Sequence, residues 1–384
     1  MGKSSIVWIH SFRLRQGPAC RQAGLADKMW INVVLFGSIA QLVRALCSHR
    51  RGPWFESKWI HHVNFIKLLR KKRIDMKVFI LSPNFDNLFT DELLNQIKSN
   101  QIELIIEKEP KLLDQVSGLL DSSDDKVLAI DPDFCNWKFP NEFLSKINNL
   151  KAVCLQTTSF GWIDTSRCKD LSIPVTNLRG FSTKALTEYL LFMILGVARK
   201  IAIVAQDGYV ENNAKHRGIE IRGKKVGIIG LGKIGLGLAN ILKDVGMDVH
   251  YWSRSSRNDE FTYEELDSLI KTADFIVPCC SKNEDTSKIL TDERLRSMKK
   301  TASFITFARG MQYNKETIIS MVQAGDLYGF GVEEENGSPI KYSGNIFAVP
   351  EIGWCTTECM ERNAKQWADS IINAIKGEYP TRVN

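Results

Sequence analysis

Six residues constrain this chain more than any others. Gly230-Leu231-Gly232-Lys233-Ile234-Gly235 follows directly on the apolar run Val226-Gly227-Ile228-Ile229 and opens a segment, Leu236 to Val245, with apolar residues at helical spacing. A buried strand that becomes a helix through three glycines at this spacing is the phosphate-cradling turn of a parallel α/β sheet. The first glycine permits the tight turn, the second lets backbone approach a pyrophosphate, and the third allows the helix to pack closely on the strand. The helix N-terminus then offers free N–H groups and a positive dipole end to an anion. A dinucleotide site is the expectation.

The surrounding sequence repeats the same grammar. Short apolar runs at Lys77–Leu81, Ile102–Ile106, Val127–Ile130 and Val153–Leu155 alternate with periodic segments at Asp91–Ile97 and Phe143–Leu150. A second series of runs follows at Met247–Trp252, Phe275–Val277, Phe304–Phe307 and Ile346–Val349. This alternation predicts parallel sheets covered by helices. A long apolar helix is expected over Ala185–Val197, with Ser182 or Thr183 as its cap, and a closing helix over Glu358–Ile375. The breadth of the first helix's apolar surface predicts burial between domains or subunits, with plain core as the simpler reading. At 384 residues and 44% hydrophobic composition the chain is long enough for about two globular domains, which excludes disorder, collagen and a coiled-coil rod.

The net charge of +7 does not describe the whole chain. Residues 1–75 carry 14 Lys and Arg against 3 Asp and Glu, leaving 37 against 41 for the remainder, so the basic character belongs to one end. That end shows neither strand alternation nor a helical stripe. Ala40-Gln41-Leu42-Val43-Arg44-Ala45 back-translates naturally to the D-arm of a transfer-RNA gene, and Trp54-Phe55-Glu56-Ser57, 14 codons on, to its T-arm. Residues 1–75 are therefore expected to be a non-native extension translated through such a gene, with the start at Met76. A basic nucleic-acid arm and a genuine extension are the other readings. The apolar stretch Met29–Val43 is shorter than the roughly 20 residues of a membrane span, so no membrane association is expected. The nine cysteines are scattered, with no metal-ligand spacing, which points to reduced thiols in a cytoplasm and to no metal.

The choice of dinucleotide depends on the end of the second strand. An acidic residue there would take the ribose 2′-hydroxyl of NAD. Instead the chain reads Tyr251-Trp252-Ser253-Arg254-Ser255-Ser256-Arg257, with Ser253 in the acidic position and Arg254 or Arg257 able to meet a 2′-phosphate. NADP is expected, with NAD as the alternative; a merely solvated arginine face is the plainer reading.

Taken together, Ile173-Pro174-Val175-Thr176-Asn177, Gly180-Phe181-Ser182-Thr183, Thr187-Glu188, Arg222-Gly223-Lys224 before the glycine motif, and Ala308-Arg309-Gly310 after a strand resemble the D-isomer-specific 2-hydroxyacid dehydrogenase family. The likeness spans nearly all of 76–384, and Trp252-Ser253-Arg254-Ser255 is most similar to its NADP-preferring glyoxylate and hydroxypyruvate reductases. The resemblance implies an α/β fold of two domains, a doubly wound Rossmann sheet inserted in a flavodoxin-like substrate domain. The implied bounds are 76–176 and 350–384 for the substrate domain and 177–349 for the dinucleotide-binding domain. It also implies a homodimer built around Ala185–Val197, and no nucleic-acid partner. The candidate cofactor contacts are Gly230, Gly232, Lys233, Ile234, Gly235, Ser253, Arg254, Ser255, Phe307 and Arg309. Arg309 also matches the family arginine that binds the substrate's carboxylate and carbonyl.

The family's catalytic segment Pro-His-Ile-Gly appears here as Pro350-Glu351-Ile352-Gly353. His216 and His250 are the histidines beyond residue 75, and neither lies where sequence logic could use it. Gly331 stands where the family has a nicotinamide-contacting Asp, Asn336 falls near its supporting Glu after Glu333-Glu334-Glu335, and Thr306 replaces an Asn. The loop Gln156–Trp162, which by resemblance lines the substrate anion site, departs from the pattern at Ser159. A carboxyl group titrates near 4.3, so Glu351 needs burial or a shared proton with a carboxylate such as Glu335 to act as donor. An ion pair with Arg309 is the simpler role. The function expected is an NAD(P)-dependent oxidoreductase of a small 2-hydroxy or 2-oxo acid, with Arg309 and Glu351 as its catalytic set. The alternative is an NADP-binding regulatory or sensor protein with little activity, and chemistry that needs no carbonyl proton donor completes the list.

Overall fold

A computed structural model describes residues 76–120, 123–255, 257–280, 285–307, 313–334 and 341–384. The expectations for residues 1–75 lie outside these. Five short runs form the first sheet: β1 (Met76–Leu81), β2 (Glu103–Glu107), β3 (Asp125–Ile130), β4 (Leu150–Leu155) and β5 (Val175–Thr176). All pair in parallel in the order β2-β1-β3-β4-β5, the flavodoxin-like order. Its central strands are buried on both faces. Phe79 and Leu81 join Leu128 and Val153 on one side, while Val78 and Ile80 join Val127 and Ala152 on the other. Helix α1 (Asp91–Lys98) crosses from β1 to β2, started by Thr90, whose hydroxyl accepts the Leu93 N–H.

The apolar helix forms as α2 (Thr183–Ala198), but Ser182 makes no side-chain cap bond and Thr183 is already helical. Helix α3 (Ile201–Gln206) follows. The second sheet comprises β6 (Lys225–Ile229), β7 (Asp248–Trp252), β8 (Thr262–Tyr263), β9 (Phe275–Pro278), β10 (Ser303–Thr306), β11 (Gly329–Glu334) and β12 (Ile346–Pro350). These strands are parallel throughout, in the order β12-β11-β10-β9-β6-β7-β8. From β6 outward this is the doubly wound order of a Rossmann sheet. Helix α4 (Lys233–Asp244) packs against α2, where Gly237 leaves room for Thr187; a Cβ at Gly237 would lie 2.9 Å from the Thr187 methyl. Helix α5 (Lys315–Ala324) precedes β11.

The closing helix α6 (Thr357–Ile375) returns to the first sheet. The Trp367 indole, fully buried, donates to the Cys154 carbonyl at 3.1 Å, and the Ser370 and Thr176 hydroxyls meet at 2.8 Å. The tail then adds an antiparallel bridge between Arg382 and Thr176. The α/β class with two parallel sheets is thus as read from sequence.

Two local readings change. Phe143–Leu150 is not a helix: Asn141–Ser145 forms one 3₁₀ turn, Asn149 turns with φ 54°, and Leu150 already begins β4. Its apolar residues are used as a turn packed on one face of the first sheet and then as a strand. Strand β11 was not anticipated, because Gly329-Phe330-Gly331-Val332-Glu333-Glu334 has little β propensity. Its glycines are required by α2 above them. A Cβ at Gly329 would stand 2.5 Å from Val197, and one at Gly331 would stand 3.0 Å from Ile305 and 3.3 Å from Val197. Among the described residues no helix is long and apolar enough to cross a membrane.

Candidate functional site

Strand β6 ends at Ile229, between β9 and β7, where the strand order reverses. The Ile229 carbonyl accepts the Cys279 N–H at 2.8 Å and the Cys280 thiol at 3.3 Å. Gly230 follows with φ 101° and gives its N–H to the Trp252 carbonyl. A side chain there would be strained and would meet Cys280 Sγ at 2.4 Å. Gly235 is just as constrained, since a Cβ would lie 2.0 Å from the Gly230 carbonyl oxygen. Gly232, the N-cap of α4, is the opposite case: its backbone is extended and a Cβ would meet nothing within 4 Å. The first and third glycines thus shape the turn, and the second leaves open space over it. The N–H groups of Lys233, Ile234 and Gly235 begin α4 and have no acceptor within the helix. Ile234 is half-buried, whereas the exposed Lys233 extends its side chain over Gly180.

The tip of β7 carries the remaining polar candidates on this side. Ser253 is buried, and its carbonyl accepts Arg257 Nη1 at 2.9 Å. The same guanidinium lies 4.0 Å over the Tyr263 ring. Arg257 therefore braces the loop onto the sheet edge. Arg254 instead points to solvent with Ser255. Its guanidinium meets Asp285 at 2.6 Å, both side chains being about two-thirds exposed (67% and 69%). Burial pushes the neighbouring Cys280 thiol up from its ordinary range, with the Arg254 charge pulling the other way. Phe307 sits half-buried at the end of β10, against the core beneath α2. Arg309, Glu335 and Asn336 lie outside the described residues.

Glu351 stands in a turn immediately after β12. Three contacts hold that turn: Ile352 N–H donates to the Pro350 carbonyl at 2.8 Å, the Tyr189 hydroxyl of α2 donates to the same carbonyl at 3.3 Å, and Gly353 N–H donates to Glu333 Oε1 at 2.8 Å. Glu333 is 5% exposed, and a Cβ at Gly353 would lie 2.6 Å from the Tyr189 ring and 3.1 Å from Glu333 Oε1. Burial, and then the charge of Glu333, hold the Tyr189 phenol well above its usual range, so it stays a donor. Glu334, on the opposite face, is taken up by Lys315 and by the Tyr342 hydroxyl. Sequence reasoning missed Glu333 and Tyr189. It treated 333–335 as one acidic run, and only the register of β11 sends alternate carboxylates to opposite faces.

Neither histidine reaches this turn. His250 sits on β7 between Glu264 at 3.0 Å and Asp248 at 3.1 Å, five strand spacings or about 24 Å from β12. His216 pairs with Asp207 at 2.8 Å, just past α3. Gln206 at the end of α3 donates to the Gly344 carbonyl, so that region adjoins the start of β12 rather than its end. In the first sheet, the loop Gln156–Trp162 leaves the C-terminal end of β4. It is held by the Asn177 side chain donating to the Thr158 carbonyl at 2.7 Å and by the Trp162 indole donating to the Ser159 carbonyl at 2.9 Å. Among the described residues no three metal-ligating side chains cluster.

Residues 191–353 match the family described as D-isomer specific 2-hydroxyacid dehydrogenase, NAD binding domain. A glyoxylate reductase of Thermofilum pendens is 29% identical over 265 residues, which cover 63% of this chain and 77% of that protein. Solved structures share the fold. An acyclic imino acid reductase in complex with NADPH and D-Arg has a TM-score of 0.68 at 23% identity, covering 80% of this chain and 100% of that one. The D-isomer specific 2-hydroxyacid dehydrogenase of Lactobacillus delbrueckii ssp. bulgaricus, in its NAD-complexed form, has a TM-score of 0.64 at 19% identity, with 80% and 100% coverage.

Proposed function

We infer that this chain, which belongs through residues 191–353 to the D-isomer specific 2-hydroxyacid dehydrogenases, is a nicotinamide-dependent oxidoreductase acting on the CH–OH/C=O group of a small 2-hydroxy or 2-oxo acid. The observation that carries this reading is the turn at Gly230–Gly235. Open space over Gly232, faced by the first N–H groups of α4 at the β6/β9 switch point, suits a pyrophosphate. In this reading residues 76–176 and 350–384 bind substrate and residues 177–349 bind the dinucleotide. A reducing cytoplasm suits the unpaired described cysteines.

When bound, the reduced nicotinamide supplies the hydride. The chain's own residues supply the rest. The N–H groups of Lys233, Ile234 and Gly235 hold the pyrophosphate, Ser253, Arg254 and Ser255 meet the adenosine ribose, and Phe307 with Arg309 border the nicotinamide. Arg309 fits a 2-oxo acid because its planar fork pairs with a carboxylate. Glu351 is the group that faces the reacting oxygen in place of an imidazole. Two features favour NADP: the absence of a carboxylate at the β7 tip, and Arg254, whose exposed pairing with Asp285 is weak enough for a phosphate to displace. Of the two solved structures named above, one is described with NADPH and one with NAD, so the fold by itself does not select the cofactor.

Titration of the full chain with NADPH and NADH by fluorescence tests the reading, followed by oxidation of bound NADPH with glyoxylate, hydroxypyruvate and bulkier 2-oxo acids. NADPH is expected to bind at least tenfold more tightly, and Arg254→Ala to remove about 1.4 kcal/mol of that preference while leaving NADH affinity unchanged. Equal affinities that ignore Arg254 would overturn the NADP assignment. Tight NADPH binding with no turnover of any acid would leave a cofactor-binding regulatory protein.

A further inference from the structure

Two dinucleotides that differ by one phosphate are told apart by charge, and any anion that competes for the phosphate's partner enters the comparison. A guanidinium that already holds a carboxylate must release it before it takes a phosphate, so its preference for the phosphate is reduced by whatever the resident pair is worth. A ribose 2′-hydroxyl carries no charge and makes no such demand. The strength of a resident ion pair therefore appears in the affinity for NADP and is absent from the affinity for NAD.

Arg254 is in that position. Its Nη1 donates to Asp285 Oδ2 at 2.6 Å, and the two residues belong to different walls of the crevice. Arg254 follows β7, whereas Asp285 is the N-cap of a 3₁₀ turn, Thr286–Lys288, beyond β9. Strands β7 and β9 pair with opposite edges of β6, which sets them about 10 Å apart. The ion pair thus joins the two loops that flank the glycine turn at the end of β6. The Arg254 charge also reaches the floor between those loops: it pulls on the Cys280 thiol, whose Sγ would lie 2.4 Å from a Cβ at Gly230. Arg257, at the same tip, is turned instead to the Ser253 carbonyl and the Tyr263 ring. Asp285 is anchored from behind by the buried Thr286, yet its own side chain is 69% exposed and can give up its partner without uncovering any core.

We propose that Asp285 is a specificity-determining residue of the dinucleotide site: its carboxylate occupies Arg254 in the free protein and is exchanged for the 2′-phosphate when NADP binds, while NAD leaves the pair intact. This rests on the reading above, with Arg254 as the 2′-phosphate ligand, and adds to the choice of cofactor a residue from the opposite wall. An exposed pair of this kind is worth at most about fivefold in an equilibrium constant. A hydrogen bond between two charged groups is worth about tenfold or more. Asp285 therefore tempers the preference that Arg254 sets and does not reverse it.

The test uses the full chain and needs no turnover. NADPH and NADH binding is followed by fluorescence for the parent, Asp285→Asn, Arg254→Ala and the double variant. Calorimetry with adenosine 2′,5′-bisphosphate and 5′-AMP, which carry the two versions of the adenosine end, repeats the comparison without the nicotinamide. Asp285→Asn is expected to bind NADPH and the bisphosphate about three- to fivefold more tightly, with NADH and 5′-AMP unchanged. In the Arg254→Ala background the same substitution should have no effect, because the carboxylate acts through that guanidinium. The proposal is overturned if Asp285→Asn leaves NADPH affinity where it was, strengthens NADH equally, or strengthens NADPH just as much when Arg254 is gone. An Arg254→Ala variant that keeps the parent's ratio of NADPH to NADH affinity would instead overturn the NADP reading on which the proposal rests.

Discussion

At Gly235 the backbone of the preceding turn leaves no space for a methyl group. A Cβ would stand 2.0 Å from the Gly230 carbonyl oxygen, an atom held within the turn itself, whereas at Gly232 it would meet nothing within 4 Å. Gly235→Ala is therefore expected to cost about 1–3 kcal/mol of stability, as overpacking does. Gly232→Ala should unfold much closer to the parent yet lose NADPH affinity, because it fills the space a phosphate would occupy. Urea denaturation alongside NADPH titration separates the two, and equal stability losses would refute the distinction. These glycines were legible in sequence because their roles are local: each acts on atoms within a few residues. Arg257 and Glu333 were not. Arg257 reads in sequence as a phosphate ligand; what the sequence did not show is its contact with the Ser253 carbonyl and the Tyr263 ring, set by how β7 meets β8. Glu333 acquires its role from Gly353, 20 residues away, through the pairing of β11 with β12.

Among elements, the β7–β8 edge shows how one carboxylate can tie several segments together. Partial burial alone would raise the Glu264 carboxyl, but hydrogen bonds from Lys225, Ser268 and Thr272 hold it down to about 2. His250 on β7 adds a contact at 3.0 Å. A folded value below the unfolded one near 4.3 stabilises the fold above that pH, and the contribution is lost as pH falls through 4.3 toward 2. Glu264→Gln is expected to lower the urea midpoint at pH 7 and to flatten its decline between about pH 4.5 and 2. Curves that stay parallel over that range would show that Glu264 does not carry the effect. Elements with strong patterns, such as β1, β6 and α6, were readable from periodicity. β11 was hidden because the close approach of α2 demands glycine at positions where strands ordinarily show β-branched residues. The reading of 143–150 failed for another reason: a 3₁₀ turn leading into a strand can bury the same apolar spacing as a short helix.

For the molecule as a whole, α2 presents more apolar surface than one chain covers. Phe192 is 51% exposed and Leu195 41%, and Phe192 continues an aromatic row with Tyr189 and with Phe347 at 5.3 Å. Two copies meeting along α2 would bury this face. The full chain is expected to sediment as a dimer and Phe192→Glu as a monomer; a monomeric parent would refute that assembly. The α6 seam has a different consequence, one of timing. Trp367 reaches Cys154 across 213 residues of sequence, and the face of the first sheet bearing Val78, Ile80, Val127 and Ala152 is closed by residues 357–375. On a ribosome, about 180 further residues must be translated between Thr176 and that helix, roughly 10 to 40 s at ordinary elongation rates. The seven-stranded sheet emerges whole in the interval, while that face of the earlier strands waits covered by Phe85, Leu88, Phe89 and Ile97, without the residues of α6 that complete its burial.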